Sequence, residues 1–193
     1  MNKMEEAVAA IEPLDEGAME RSQKRWDSIA KPLKSLGLLE TAVIRLAGIF
    51  QTEKVSLGKR CVVPMCADNG VVAQGVTQTG SEVTAIVTEN FARGDSSVCC
   101  MARRAGADVI PVDIGVARDL TVPGIWNYKI RYGTSDMTQG PAMTREEAAR
   151  AVEIGITVVE KLKEQGYRII ATGEMGIGNT TTSAAVASVL FGW

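Results

Sequence analysis

Histidine is absent from this 193-residue sequence, and other features that mark common protein classes are missing as well. Without histidine, zinc sites built around imidazole are excluded, and acid–base chemistry must use Asp, Glu, Lys, Tyr or Cys. No run of 18 or more apolar residues occurs, so no membrane-spanning helix is predicted. Lysine and arginine number 21 against 23 acidic residues, which argues against a nucleic-acid partner because such proteins normally carry a basic stripe.

Signals for export and for metal binding are also missing. The first residues lack the charged and then apolar plan of a signal peptide, so a cytoplasmic location is the default expectation. The four cysteines (Cys61, Cys66, Cys99 and Cys100) have no Cys-x-x-Cys spacing. They are expected to be small buried side chains in a reducing compartment. No metal site and no cofactor are predicted.

An alternation of helical and strand patterns is present along the chain. Helical patterns cover residues 14–29, 36–52, 82–92, 98–106, 144–166 and 180–190, and strand patterns cover 60–67, 108–114 and 167–172. A further short strand is expected near 126–131. Thr79 with Glu82 and Thr144 with Glu147 have the spacing of capping boxes at two of the helix starts. Strands that alternate with helices of this length predict an α/β fold with a parallel sheet.

A glycine-rich segment, residues 173–178, connects the third strand pattern to the last helix. Glycines let a backbone approach a ligand closely, and the free N–H groups of a helix start attract anions, above all phosphate. Glu174 lies in the same segment, where it would repel a phosphate unless it faced the sugar end of the ligand. The segment therefore predicts a site for a phosphorylated sugar; the alternative is an ordinary turn with glycines for close packing.

Polar residues also follow the other two strands. Asp68 and Asn69 come after the first strand, where they either end it or contribute to a pocket. Asp113 ends the second strand, where it either binds a ribose hydroxyl or caps a turn. Because parallel sheets bind ligands at the carboxyl ends of their strands, all three ends are expected to converge on one edge.

Read together, these segments resemble the nicotinate-nucleotide–dimethylbenzimidazole phosphoribosyltransferase family. The resemblance rests on several stretches in family order, which are residues 31–40, 67–76, 82–85, 104–107, 112–115 and 173–181. It implies a Rossmann-like three-layer α/β/α domain, here residues 56–193 and incomplete at the C-terminal side, after an N-terminal helical segment, residues 1–55. It also implies a homodimer.

The resemblance further implies an activity and a set of site residues. A phosphoribosyl group would move from nicotinate mononucleotide to a benzimidazole-type base, giving α-ribazole phosphate and nicotinate. Glu174 would be catalytic. The phosphate and ribose would lie against Gly176, Ile177, Gly178, Asn179, Thr180, Thr181 and Asp113. The base would lie against Asp68, Asn69, Thr79, Ser81, Val87 and Met175.

The sequence departs from that family in two ways. Many members have histidine where this chain has Asn69. Members are also longer, and the later glutamate that takes the proton from the incoming base lies in the part this chain lacks. A transferase part that binds but does not turn over is therefore expected; the alternatives are a binding module or a subunit completed by another polypeptide. An unrelated Rossmann-type oxidoreductase is disfavoured, because the glycine spacing is G-x-x-G-x-G and not the dinucleotide fingerprint.

Overall fold

The computed structural model describes residues 2–192, and its contacts divide the chain after Leu57 into two units. The first unit contains three helices: α1, Lys3–Ala9, α2, Glu16–Asp27, and α3, Leu38–Phe50. The predicted helices over 14–29 and 36–52 are confirmed, whereas α1 was not predicted. A buried ion pair lies within this unit, with the Lys31 ammonium 2.8 Å from the Glu40 carboxylate.

The second unit alternates strands with helices, as the patterns predict. Its strands are β1, Lys59–Ala67, β2, Asp108–Val109, β3, Val112–Gly115, β4, Trp126–Asn127, and β5, Tyr167–Met175. Its helices are α4, Glu82–Arg93, α5, Ser97–Ala105, α6, Arg145–Glu164, and α7, Asn179–Phe191. None of the described helices is long and apolar enough to cross a bilayer.

All strand pairs in the sheet are parallel, and β1 lies at its centre. Cys61 is paired with Asp108 of β2 and with Ile170 of β5, so these two strands lie on opposite edges of β1. β3 continues β2 along the same edge in the same register, and β4 pairs with β3. The order across the sheet is therefore β5, β1, then β2 with β3, then β4.

The predicted strand over 108–114 is interrupted at its centre. Ile110 still donates its N–H to the Val62 carbonyl at 2.9 Å, but Pro111 has no N–H to donate. Its carbonyl accepts instead from Trp126 in β4. The single predicted strand is thus two short strands with one direction and one register.

Helices cover both faces of the sheet, which makes the second unit a three-layer α/β/α structure. On one face, Ile154, Val158 and Leu162 of α6 pack against Cys61 and Val63 of β1. On the other face, Ala85 of α4 packs with Cys66 of β1, with Met175 beside them. Because side chains alternate along a strand, residues 61 and 63 point away from residue 66. The parallel α/β fold class is confirmed.

Local interactions at the helix starts confirm one predicted capping box and contradict the other. Thr144 and Glu147 form theirs at the start of α6, with bonds of 2.8 and 3.1 Å. Thr79 does not cap α4, because the N-cap residue is Ser81 and the Thr79 amide is bonded to the Thr77 hydroxyl. The expectation of buried thiols is wrong for Cys100, which is exposed on α5.

Candidate functional site

After β1, the chain adds β2 and β3 on one side of this strand and later adds β5 on its other side, so the strand order reverses between β1 and β5. From β1 the chain crosses one face through α4 and α5 to β3, and from β3 it crosses the opposite face through α6 to β5. A reversal of this kind leaves a crevice outside the carboxyl ends of the two neighbouring strands, where open α/β sheets bind ligands. The topology therefore places the candidate site between Asp68–Asn69 and residues 174–178.

The end of β5 differs from the sequence-based expectation. Glu174 and Met175 belong to the strand, where they pair with Met65 and Cys66 of β1, and so Glu174 is not part of a turn. The connection to α7 is only Gly176, Ile177 and Gly178, which we call the glycine turn. Since Glu174 and Met175 are adjacent in a strand, their side chains leave opposite faces of the sheet.

Two of the glycines are required by the path of the backbone. A Cβ atom on Gly176 would lie 2.1 Å from the Ala67 carbonyl oxygen and 2.7 Å from Asn69 Nδ2. Gly178 is the N-cap of α7 with a φ of 85°, in the left-handed region that glycine tolerates. The glycine turn is thus pressed against the end of β1.

The amides of this region divide into bonded and free groups. Ile177 donates its N–H to the Thr84 hydroxyl at 3.0 Å, Asn179 donates to the Gly176 carbonyl at 3.0 Å, and Thr181 donates to the Gly178 carbonyl at 3.2 Å. Within residues 2–192, the N–H groups of Gly178 and Thr180 have no protein acceptor. Two amides at the start of a 13-residue helix therefore remain available to an anion.

Glu174 lies beside these amides and is held by the first residue of α7. One carboxylate oxygen accepts a hydrogen bond from Asn179 Nδ2. Burial raises the pKa of Glu174 above its ordinary value, and the hydrogen bond from Asn179 opposes that shift. The site thus contains a carboxylate of fixed position near, but not bonded to, the free amides.

Asp113 is buried and fully engaged within the protein. One oxygen accepts the N–H groups of Gly115 and Val116 at 3.1 and 2.9 Å, and the other lies 2.9 Å from the Lys129 ammonium. With 1% of the residue exposed, no oxygen is left for a ribose hydroxyl. The ribose-binding interpretation is corrected here to its alternative, a carboxylate that caps the turn after β3.

Asp68 and Asn69 also use their side chains inside the protein. Asp68 Oδ2 accepts the Ala117 N–H at 2.7 Å, while its buried Oδ1 has no partner within the described part of the chain. Asn69 Nδ2 donates to the Ile177 carbonyl at 3.0 Å, and Asn69 Oδ1 accepts from the Thr182 hydroxyl at 3.0 Å. Asn69 therefore contacts the glycine turn and α7 directly.

The phosphoribosyltransferase family model DBI_PRT matches residues 11–193, nearly the whole chain. The chain belongs to this phosphoribosyltransferase family. Among curated relatives, the nicotinate-nucleotide–dimethylbenzimidazole phosphoribosyltransferase of Ruminiclostridium cellulolyticum is 50% identical over 97% of this chain and 53% of the relative. The protein of the same name from Clostridium acetobutylicum is 49% identical, over 98% of this chain and 54% of the relative.

A solved structure agrees with the family assignment. The crystal structure of the phosphoribosyltransferase of that name from Thermus thermophilus superimposes with a TM-score of 0.88 at 39% identity. The match covers 93% of this chain and 55% of that chain. The chain therefore spans about half the length of the relatives it matches.

Of the remaining predicted site residues, Thr79, Ser81 and Val87 lie on or before α4, and Met175 lies at the end of β5. Thr79 is exposed in the preceding loop, and Ser81 and Val87 are half-buried. Met175 is half-buried and packs with Cys66 and Ala85 on the α4 face. Met175 and α4 therefore lie on the side of the sheet opposite to Glu174.

Sequence reasoning missed three residues that shape the site. Thr84 is fully buried on α4 and accepts the Ile177 N–H, Thr182 bonds to Asn69, and Lys129 neutralises Asp113. The partner of each is distant in sequence, so no local pattern indicated the contact. Among residues 2–192, no group of three His, Cys, Asp or Glu side chains is placed to hold a metal ion.

Proposed function

We propose that this chain is the phosphate- and sugar-binding part of a nicotinate-nucleotide–dimethylbenzimidazole phosphoribosyltransferase. The observation that carries the proposal is the pair of free amides, Gly178 and Thr180, at the start of α7. A nucleotide phosphate accepts hydrogen bonds from such groups and is favoured by the positive end of the helix dipole, which contributes about 0.3–1 kcal/mol. The names of the relatives support the choice of nucleotide.

The carboxylate of Glu174 is proposed to face the sugar. In the transfer, the bond between the anomeric carbon and the nicotinate nitrogen breaks, and nicotinate leaves with the bonding electrons. The anomeric carbon then forms a bond to a benzimidazole nitrogen, while the positive charge that develops on the sugar is stabilised by a nearby carboxylate. Asn179 fixes Glu174 for this role.

The proton of the incoming azole must pass to a base. We propose that this base comes from the part of the family fold that corresponds to the other half of the relatives' length, in the same or a second polypeptide. General-base help is worth roughly a hundred- to ten-thousand-fold in rate. The base pocket is proposed to include Thr79, Ser81, Val87 and Met175, with 5,6-dimethylbenzimidazole or a related base as the acceptor.

The binding step is tested by calorimetric titration of the chain with nicotinate mononucleotide, with nicotinate riboside as the matched ligand that lacks phosphate. Saturable binding of the nucleotide and much weaker binding of the riboside are expected. Glu174→Gln should keep the nucleotide affinity, because Glu174 is proposed to act at the sugar and not at the phosphate. Equal affinities for nucleotide and riboside, or no binding of either, would reject the phosphate site.

A second candidate function is a binding subunit that another polypeptide completes. It is favoured by α7, which buries none of its described residues and exposes Val189, Leu190 and Phe191 by 84, 74 and 68%. Co-expression with the second half of a relative tests whether a second polypeptide completes the chain. Recovery of nicotinate release only in the presence of that half supports the subunit, and release by the chain alone contradicts it.

The oligomeric state and the cellular location that the family resemblance implies belong to the same proposal. We propose that the completed enzyme is a homodimer in the cytoplasm, as the family resemblance implies. Light scattering on the completed protein tests the first point, and a mass of a single copy at working concentration would contradict it.

A further inference from the structure

The side chain of Asn69 connects three segments that are far apart in sequence. It follows β1, it donates from Nδ2 to the Ile177 carbonyl, and it accepts at Oδ1 from the Thr182 hydroxyl, each at 3.0 Å. One polar atom donates and the other accepts. A carboxamide satisfies both partners, whereas a carboxylate has no hydrogen to donate and an alanine makes neither bond.

The bond to Ile177 fixes the direction of a free amide. The Ile177 carbonyl and the Gly178 N–H belong to one planar peptide unit, and in a trans peptide these two groups point in opposite directions. Asn69 holds the carbonyl end of that unit, so the Gly178 N–H points away from Asn69. Within residues 2–192, this N–H has no protein acceptor.

The neighbouring peptide unit of the glycine turn is held independently. Its N–H, on Ile177, donates to the buried Thr84 hydroxyl, and its carbonyl, on Gly176, accepts from Asn179. Gly178 has a left-handed φ and lies against Val72, and Gly176 has no space for a side chain. The peptide unit that Asn69 holds is therefore the one whose orientation depends on a single side-chain bond.

We infer that Asn69 is a positioning residue, which aims the Gly178 N–H at the phosphate and does not contact the incoming base. This inference rests on the proposed function, because the nucleotide phosphate proposed there is the ligand of the free Gly178 amide. Asn69 acts through the glycine turn, and Thr182 orients the Asn69 carboxamide in turn.

The inference is tested by titrating the chain with inorganic phosphate and with nicotinate mononucleotide, followed by the ¹⁵N–¹H shifts of Gly178 and Thr180. Asn69→Ala and Asn69→Asp should weaken both ligands by about tenfold or more, since each loses the bond to Ile177. Thr182→Val should weaken them less, and Thr182→Ser, which keeps the hydroxyl, should restore the affinity. Asn90→Ala on α4 is the matched control and should bind as the unmodified chain does.

A double-mutant cycle separates positioning from general loss of stability. Because Thr182 acts through Asn69, adding Thr182→Val to Asn69→Ala should cause little further loss. Independent, additive losses would overturn the inference, as would an Asn69→Ala chain with unchanged phosphate affinity. Melting temperatures are measured alongside, and affinities are compared well below the lowest of them.

If the proposed function is wrong, the titrations give a result that differs from a failure of the Asn69 inference alone. If the unmodified chain binds neither phosphate nor the nucleotide, the phosphate site is rejected, and the ¹⁵N–¹H spectrum of the unliganded chain then decides the role of Asn69. Asn69→Ala should shift the Gly178 resonance, because the peptide unit of Gly178 loses its bond at the Ile177 carbonyl, while the Ile177 amide keeps its bond to Thr84. An unchanged Gly178 resonance would overturn the positioning role by itself.

Discussion

Replacement of Gly176 by alanine tests whether the glycine turn must lie against the end of β1. The new Cβ atom would lie 2.1 Å from the Ala67 carbonyl oxygen, 2.7 Å from Asn69 Nδ2 and 3.0 Å from Glu174 Oε1. Carbon–oxygen contacts are normally no shorter than about 3.3 Å, so the turn has to move by roughly 1 Å. The side chains can yield, but the Ala67 oxygen belongs to the backbone of a central strand.

The displacement should reduce both stability and binding. Overpacking of this kind costs about 1–3 kcal/mol, and each kcal/mol lowers the melting temperature by roughly 2–4 °C in a chain of this size. A shift of about 1 Å also takes an amide out of hydrogen-bonding range of a bound phosphate, because useful N–H···O distances end near about 3.2 Å. Loss of measurable nucleotide binding is therefore expected.

Gly155→Ala is the matched control, because nothing lies within 4 Å of its Cβ position in α6. Alanine is favoured over glycine inside a helix by about 0.5–1 kcal/mol, so this variant should be slightly more stable and bind normally. Urea unfolding followed by circular dichroism gives the stabilities, and calorimetry gives the affinities. A Gly176→Ala chain that unfolds and binds like the unmodified chain would refute the close approach at this turn.

Three further outcomes follow from the buried and exposed groups. Lys129→Met leaves the buried Asp113 charge unpaired and should lower the free energy of unfolding by about 3 kcal/mol in urea; a loss under about 0.5 kcal/mol contradicts the pairing. Asn179→Ala removes the bond that lowers the pKa of Glu174, so the titration of Glu174 in ¹³C NMR should move to higher pH. The free energy of unfolding should then fall more steeply than in the unmodified chain as the pH rises and Glu174 ionises; an unchanged titration midpoint argues against the contact. Val189→Glu should change the unfolding free energy by less than about 0.5 kcal/mol but abolish assembly with a co-expressed second half; a marked loss of stability would mean that Val189 is buried.

Most elements of the fold were predictable because their signals are local. The helix over 144–166 has a capping box at Thr144 and a glycine after its last turn, and the structure has α6 there with both cap bonds formed. Strand β1 follows from a short apolar run that ends at Asp68. Such interactions join residues three or four apart, so a sequence window contains both partners.

The differences from expectation arose from contacts that the predicted local pattern does not contain. Thr79 and Glu82 have capping-box spacing, yet the Thr79 amide is bonded to the Thr77 hydroxyl and Ser81 is the N-cap of α4. Glu174 was placed in a turn because glycines surround it, but pairing with Met65 extends β5 past it. Asp113 was assigned two possible roles, and Lys129 together with two backbone amides decided in favour of the cap.

By itself, the sequence determined that strands alternate with helices, that their polar ends meet at one edge, and that a glycine-rich helix start lies there. It did so because side-chain periodicity and turn chemistry act over a few residues. Only the tertiary structure decided which amides of that helix start are free. The neighbouring Ile177 donates its N–H to Thr84 and accepts at its carbonyl from Asn69. These two partners lie 93 and 108 residues away from Ile177, and no local pattern records a bond across that distance.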